Sequence, residues 1–459
     1  MLAFMGANGM NAYMYAPKDD ALHRAQWRVP YGTEAIEEFR ELVDAGQAAG
    51  VRVGFAISPG LDISYADATD RDALRGKCVA MLDCGIDWFL LALDDIPMAD
   101  GLADDHADLA NWLFAQLTAA QPSATLMVCP TEYLGVQAGA YTRDLAVHLN
   151  TDIALMWTGP TVCSPTVSTA DASVWRSAFP NHDLIVWDNY PVNDGAMATR
   201  LHAGPYGGRS ADLDAAVQGI LLNPMNQAIS SRVALGTAAA YLNHPHSYEP
   251  IATWHAAMDA LGSDDVSRAA ANALCRACAD GPTLDPDALP LARIVRDLQA
   301  AYASPNFAAM LDVAADELSA ARSAADTLLD ATHVTNATDD PGRRTFASFA
   351  NEVQPWAERL RAESRTGLAA INVIRLATQT PVEPLSLMGA TFALTFHWTE
   401  ARRSEHVVFG PRFATYPAIV MHASSAPVFD AALGVIEDRN AIDALCRFAM
   451  RLNNQAIAA

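Results

Sequence analysis

Positive charge is scarce in this chain. Its 459 residues carry 30 Lys plus Arg against 53 Asp plus Glu, a formal charge of -23, and a surface of that sign repels nucleic-acid backbones and anionic membrane faces. Neither a nucleic-acid nor a membrane partner is expected. Long uncharged apolar runs are also missing, which argues against a bilayer-spanning helix. The opening "MLAFMGANGMNAY" has neither the basic flank nor the apolar length of a signal peptide. Cysteine is sparse and odd in number, seven in all, so a disulfide framework is not expected and a reducing, cytoplasmic setting fits better. Cys275 and Cys278 have CxxC spacing, but they sit in an Ala-rich helical stretch with no second pair or His cluster, and read as structural thiols. No metal or cofactor is expected.

What the chain does have is enough apolar sequence, 51% of residues, for about two or three domains. Short apolar runs recur through the first half, at "GMNAYMYA", "VRVGFAIS", "IDWFLLAL", "ATLMVCP", "DIALMWTG", "LIVWDNY" and "VQGILLN". Segments with helical spacing lie between them, such as the stretch in which Ile36, Phe39, Leu42 and Val43 share a face before Gly50. Continuous apolar strands alternating with helices predict a parallel sheet covered on both faces, an α/β fold of the (β/α)8 TIM-barrel type. Only seven strands are legible, and "LAFMGANG" reads as the tail of a helix, so the expected barrel is incomplete, with its first strand missing. A doubly wound open sheet is the alternative. The expected boundaries are 1–245 for the barrel, 246–395 for a bundle of long Ala- and Leu-rich helices, and 396–459 for a small mixed C-terminal element containing "HVVFGPRFATYPAIV".

Parallel barrels keep their chemistry at the carboxyl ends of the strands. There the chain places Lys18, Asp94, Asp95, Tyr133, Trp157, Trp187, Asn189, Asp194 and Asn223, a mixture of aromatic surfaces and hydrogen-bonding groups that suits a sugar. Each has a plainer reading: Lys18 as a surface lysine, the tryptophans as core, the asparagines as turn residues. The adjacent pair in "LLALDDIP" is the most telling feature. Two carboxyls this close in a partly desolvated mouth cannot both ionise freely, so one is expected to keep a proton and act as an acid. A loop cap or a metal ligand is the competing account of the pair.

In order along the chain, "NAYMYAPKDDALHRAQWRVPY", "LALDDIP", "CPTEY", "WTGP", "VWDNYPVND", "GPYGGRS" and "LNPMN" resemble the family 84 glycoside hydrolases, the O-GlcNAcases and related bacterial β-N-acetylglucosaminidases. The resemblance covers about residues 8 to 255. It implies retaining, substrate-assisted removal of terminal β-linked N-acetylglucosamine through an oxazoline. Asp94 would orient the acetamido group, and Asp95 would protonate the leaving oxygen. It places Lys18, Asn189, Asp194 and Asn223 on sugar hydroxyls and the acetamido pocket, with Tyr133 beside the N-acetyl group. Trp187 would wall that pocket, while Cys129 and Val162 would line the mouth. The implied partner is a glycan or glycoprotein bearing N-acetylglucosamine; a homodimer is an open option. A hyaluronidase-like hexosaminidase and a catalytically impaired glycan-binding protein are the competing functions.

Overall fold

The computed structural model describes residues 1–279, 290–302, 304–333, 340–409 and 440–458. The chain divides into two compact units, one of residues 1–189, 208–223 and 239–247, the other of residues 190–207, 224–238 and 248–459.

The first unit is built on seven strands: β1 (Ala12–Tyr15), β2 (Arg52–Ile57), β3 (Trp88–Ala92), β4 (Thr125–Cys129), β5 (Ala154–Trp157), β6 (Leu184–Asp188) and β7 (Gly219–Leu222). They are the seven apolar runs read from the sequence. All pair in parallel in chain order, β1 to β7, a curled, incomplete TIM barrel. Among the described residues, β1 and β7 each pair on one side only. The fragment before β1 is helical, Leu2–Ala7, as expected.

Alternation along the strands sorts side chains into two layers, because successive residues of a strand point to opposite faces. Phe55, Ile57, Phe89, Leu91, Leu126, Val128, Leu155 and Val186 pack outward beneath the helices. Ala56, Leu90, Ala92, Met127, Cys129 and Met156 pack on the inner face, with Tyr133 and Trp187 at its margin. The connecting helices begin and end on local signals. Asp67 accepts the backbone N–H groups of Thr69 and Asp70 at the start of Ala68–Leu82, and Gly50 closes Thr33–Ala49 at φ +70°, where a side chain would be strained.

The second unit is mainly helical, with long helices Phe307–Ala331, Gln354–Ala377 and Pro384–Ala401 and a last helix, Ala441–Ala458. Helix Pro384–Ala401 runs through the boundary expected at 395, and residues 410–439 of the expected mixed element lie outside the described residues. Cys275 and Cys278 are buried thiols within one helix, and burial pushes Cys275 up to about 12. No described helix is long and apolar enough to cross a membrane.

Candidate active site

β3 delivers the two aspartates. It ends at Ala92, and Leu93 extends its pairing by donating its N–H to the Cys129 carbonyl. Asp94 then lies buried, while Asp95 adopts φ +56°. A non-glycine residue in the left-handed region carries strain, which an aspartate tolerates better than most. That turn is what lets two neighbours, which a regular strand would aim at opposite faces, present their carboxylates to one cation.

Lys18, on the loop after β1, is that cation. Its Nζ donates to Asp94 Oδ2 and, at 2.6 Å, to Asp95 Oδ2. Burial alone would lower the Lys18 ammonium, but the two carboxylates outweigh it and hold the group above its ordinary value. Asp95 Oδ1 accepts the Tyr133 hydroxyl at 2.9 Å, and Arg24 Nη1 lies 3.9 Å from Asp95 Oδ2. Burial would raise the Asp95 carboxyl, yet Lys18, Tyr133 and Arg24 together hold it below the usual carboxylate range. The like-charge problem is therefore solved by an ammonium, and the expectation of a proton kept on one carboxyl is not met at Asp95 in this arrangement. Asp94 shows the opposite imbalance: Oδ2 is paired, but buried Oδ1 accepts a hydrogen bond from no group among the described residues.

On the far strands, Asn189 donates from Nδ2 to the Val162 carbonyl at 2.8 Å and accepts on Oδ1 from Asn223 Nδ2 at 3.0 Å. Asn223 is also seated by its own N–H on the Asp188 carbonyl, which continues the β6–β7 pairing. Cys129 is buried on the inner face, where its thiol is pushed far up by burial and the nearby carboxylates. Trp187 is half-buried in the same inner cluster. Asp194 belongs to the second unit, exposed at the head of the single turn Gly195–Met197. Trp157 is not a mouth residue. It is fully buried in the outer layer, stacks on Trp175 at 5.7 Å and donates its indole N–H to the Gly135 carbonyl.

A family model described as beta-N-acetylglucosaminidase matches residues 1–276. The chain belongs to that family, glycoside hydrolase family 84. It is 32% identical over 250 residues to the protein O-GlcNAcases of Rattus norvegicus and Mus musculus, covering 50% of this chain. The match spans 26% of the length of those relatives. A solved O-GlcNAc hydrolase variant from Thermobaculum terrenum superposes with a TM-score of 0.81 at 25% identity, covering 100% of this chain and 91% of that one. CpGH84B superposes with a TM-score of 0.75 at 24% identity, over 89% and 71% of the two chains, a likeness of fold.

Within this family 84 chain, two groups escaped the reading of strand ends. Arg24 lies six residues past Lys18 on the same loop, and its approach to Asp95 depends on how that loop folds back. Asp20 turns inward from the same "KDD" run to accept the hydroxyls of Tyr15 and Tyr31. The signal was present in the tyrosines at both ends of the loop, but nothing in residue spacing says which of two adjacent aspartates they bind.

Proposed function

We propose that the chain hydrolyses terminal β-linked N-acetylglucosamine from glycans or glycoproteins, with retention of configuration and with the substrate's own acetamido group as nucleophile. The observation that carries this is the unsatisfied Asp94 Oδ1. A buried carboxylate oxygen without a donor costs free energy that a well-placed ligand N–H recovers. The acetamido N–H is such a donor. Accepting it would make the acetamido carbonyl oxygen more nucleophilic and aim it at the anomeric carbon, giving an oxazoline as the glycosidic bond breaks. The usual scheme of two carboxylates, one of them a nucleophile, exempts substrate-assisted enzymes.

Asp95 then serves as the acid for the leaving oxygen and afterwards as the base that takes a proton from water. For the first step it must carry a proton, and Lys18 opposes that as long as it bridges the pair. Sugar hydroxyls that draw the Lys18 ammonium away would release Asp95 to take up a proton, tying the acid's readiness to the presence of substrate. Asn189, Asn223 and Asp194 would hold the remaining hydroxyls and the acetamido pocket. Trp187 would wall that pocket with Tyr133 beside the N-acetyl group, while Cys129 and Val162 would line the mouth. Lys18, Asp94 and Asp95 lie in the first unit, and residues 1–245 are proposed as the catalytic domain.

The test is turnover of an aryl β-N-acetylglucosaminide followed by proton NMR. A β-configured first product supports the proposal. Binding without turnover, or an α-configured first product, overturns it.

A further inference from the structure

Asp20 stands two residues after Lys18 and faces away from it, toward the protein. Its Oδ2 accepts hydroxyl hydrogens from Tyr15 at 3.0 Å and Tyr31 at 2.6 Å, and its Oδ1 accepts the Leu22 N–H at 2.8 Å. Tyr15 is the last residue of β1, and Tyr31 stands just before helix Thr33–Ala49. These two tyrosines are the ends of the loop that carries Lys18. Both rings meet Phe39 edge-on, at 5.0 and 5.1 Å, so neither hydroxyl is free to wander. One carboxylate therefore ties the two ends of the loop together from within.

The rest of the loop is clamped from outside. Arg28 reaches Asp62 at 2.7 Å and Asp70 at 2.6 Å, Trp27 donates its indole N–H to Asp62, and Lys77 donates to the Leu22 carbonyl. These contacts hold residues 22 to 28 against the next loop and helix. None of them touches residues 16 to 20, where Lys18 projects. In that short arc the Asp20 carboxylate ties Lys18 to both ends of the loop, beside one backbone bond from the His23 N–H to the Asp20 carbonyl.

We infer that Asp20 is a positioning residue for the reaction: by joining the ends of its loop through Tyr15 and Tyr31 it sets the Lys18 ammonium between Asp94 and Asp95. This rests on the proposed function for its kinetic consequence, but not for its geometry. A catalytic group displaced by a fraction of an ångström loses most of its value, and supporting residues that do not touch substrate then carry large kinetic effects.

Asp20→Asn places an amide N–H where the neighbours are already donors. It is expected to lower kcat/KM for an aryl β-N-acetylglucosaminide about 10- to 100-fold, and Tyr31→Phe, a milder change, is expected to lower it less. Because the effect acts through Lys18, Asp20→Asn made in a Lys18→Ala background is expected to cost under about 2-fold, the signature of coupled sites. A crystal structure of Asp20→Asn should show Lys18 Nζ out of hydrogen-bond reach of at least one of the two aspartates. Loss of the same size in both backgrounds, or a lowered melting temperature with wild-type kcat/KM, overturns the inference. Wild-type protein that neither turns over the substrate nor binds a thiazoline analogue would defeat the proposed function instead. The crystal structure would still decide Asp20, since Nζ remaining on both carboxylates overturns its role.

Discussion

The Nζ of Lys18 lies 2.6 Å from Oδ2 of Asp95, although the two residues are on different loops and nothing in their sequence neighbourhoods pairs them. That contact favours the ionised form of Asp95, the group proposed as the acid. Removing the cation should therefore be visible in the pH dependence of activity.

Lys18→Met removes a positive charge that favours ionised Asp95, so the Asp95 carboxyl should rise. In a profile of kcat/KM against pH, which reports the free enzyme, the limb that descends as Asp95 loses its proton should move to higher pH. The height of the profile should fall as well, through loss of the proposed contact of Lys18 with the sugar. A limb that stays in place while the height drops would detach Lys18 from the acid.

Asp94→Asn and Asp95→Asn should fail differently across a series of leaving groups. In the proposed mechanism every substrate passes through the oxazoline, so loss of the Asp94 carboxylate should slow all of them. Loss of the Asp95 acid should spare aryl groups that leave as stable phenolates and penalise poor leaving groups. Parallel Brønsted lines for the two variants would contradict the division of roles.

Asp194→Ala is expected to weaken transition-state binding by about 1.5 to 3 kcal/mol, the range for a charge-assisted hydrogen bond to a sugar hydroxyl. It should weaken binding of a thiazoline mimic of the oxazoline in proportion. Unchanged kinetics and unchanged affinity would remove Asp194 from the site.

His23 and His106 are both buried, and burial lowers each to about 4. His106 lies between the hydroxyls of Tyr65 and Tyr141, whereas neither ring nitrogen of His23 has a partner among the described residues. Unfolding returns both toward the ordinary imidazole value of 6.5, so between these values the unfolded chain binds more protons. The stability they contribute is complete above about pH 6.5 and is lost as pH falls toward and through 4, on the order of 3 kcal/mol each. Urea midpoints between pH 7 and pH 4 should fall accordingly, and His106→Gln should flatten the slope.

Gly54 sits on β2 where an added Cβ would come within 2.6 Å of both the Met14 and Trp88 side chains and 3.0 Å of the Trp88 carbonyl oxygen. Met14 could give way, but the backbone of β3 cannot without disturbing the strand that carries Asp94. Gly54→Val should cost about 1 to 3 kcal/mol of stability through overpacking, measurable by thermal unfolding. Activity should fall with it if β3 shifts.

The order and type of the elements in the first unit could be read from the sequence alone. Runs such as "IDWFLLAL" and "ATLMVCP" announce buried parallel strands because a strand covered on both faces must be apolar at every position, and helical spacing between them leaves few topologies. The same logic put Lys18, Asp94, Asp95, Tyr133, Asn189 and Asn223 at strand ends. Tertiary structure decided what each one meets. Periodicity reports which face a side chain takes and carries no information about a partner 76 residues away, so Lys18 between the two carboxylates and Tyr133 on Asp95 were out of reach. A strand-end tryptophan can face the mouth or the outer layer, and the parity of a short strand sent Trp157 outward and Trp187 inward. The backbone turn at Asp95 was hidden as well, because φ +56° is a state that an aspartate tolerates but seldom adopts, and the surrounding packing must select it.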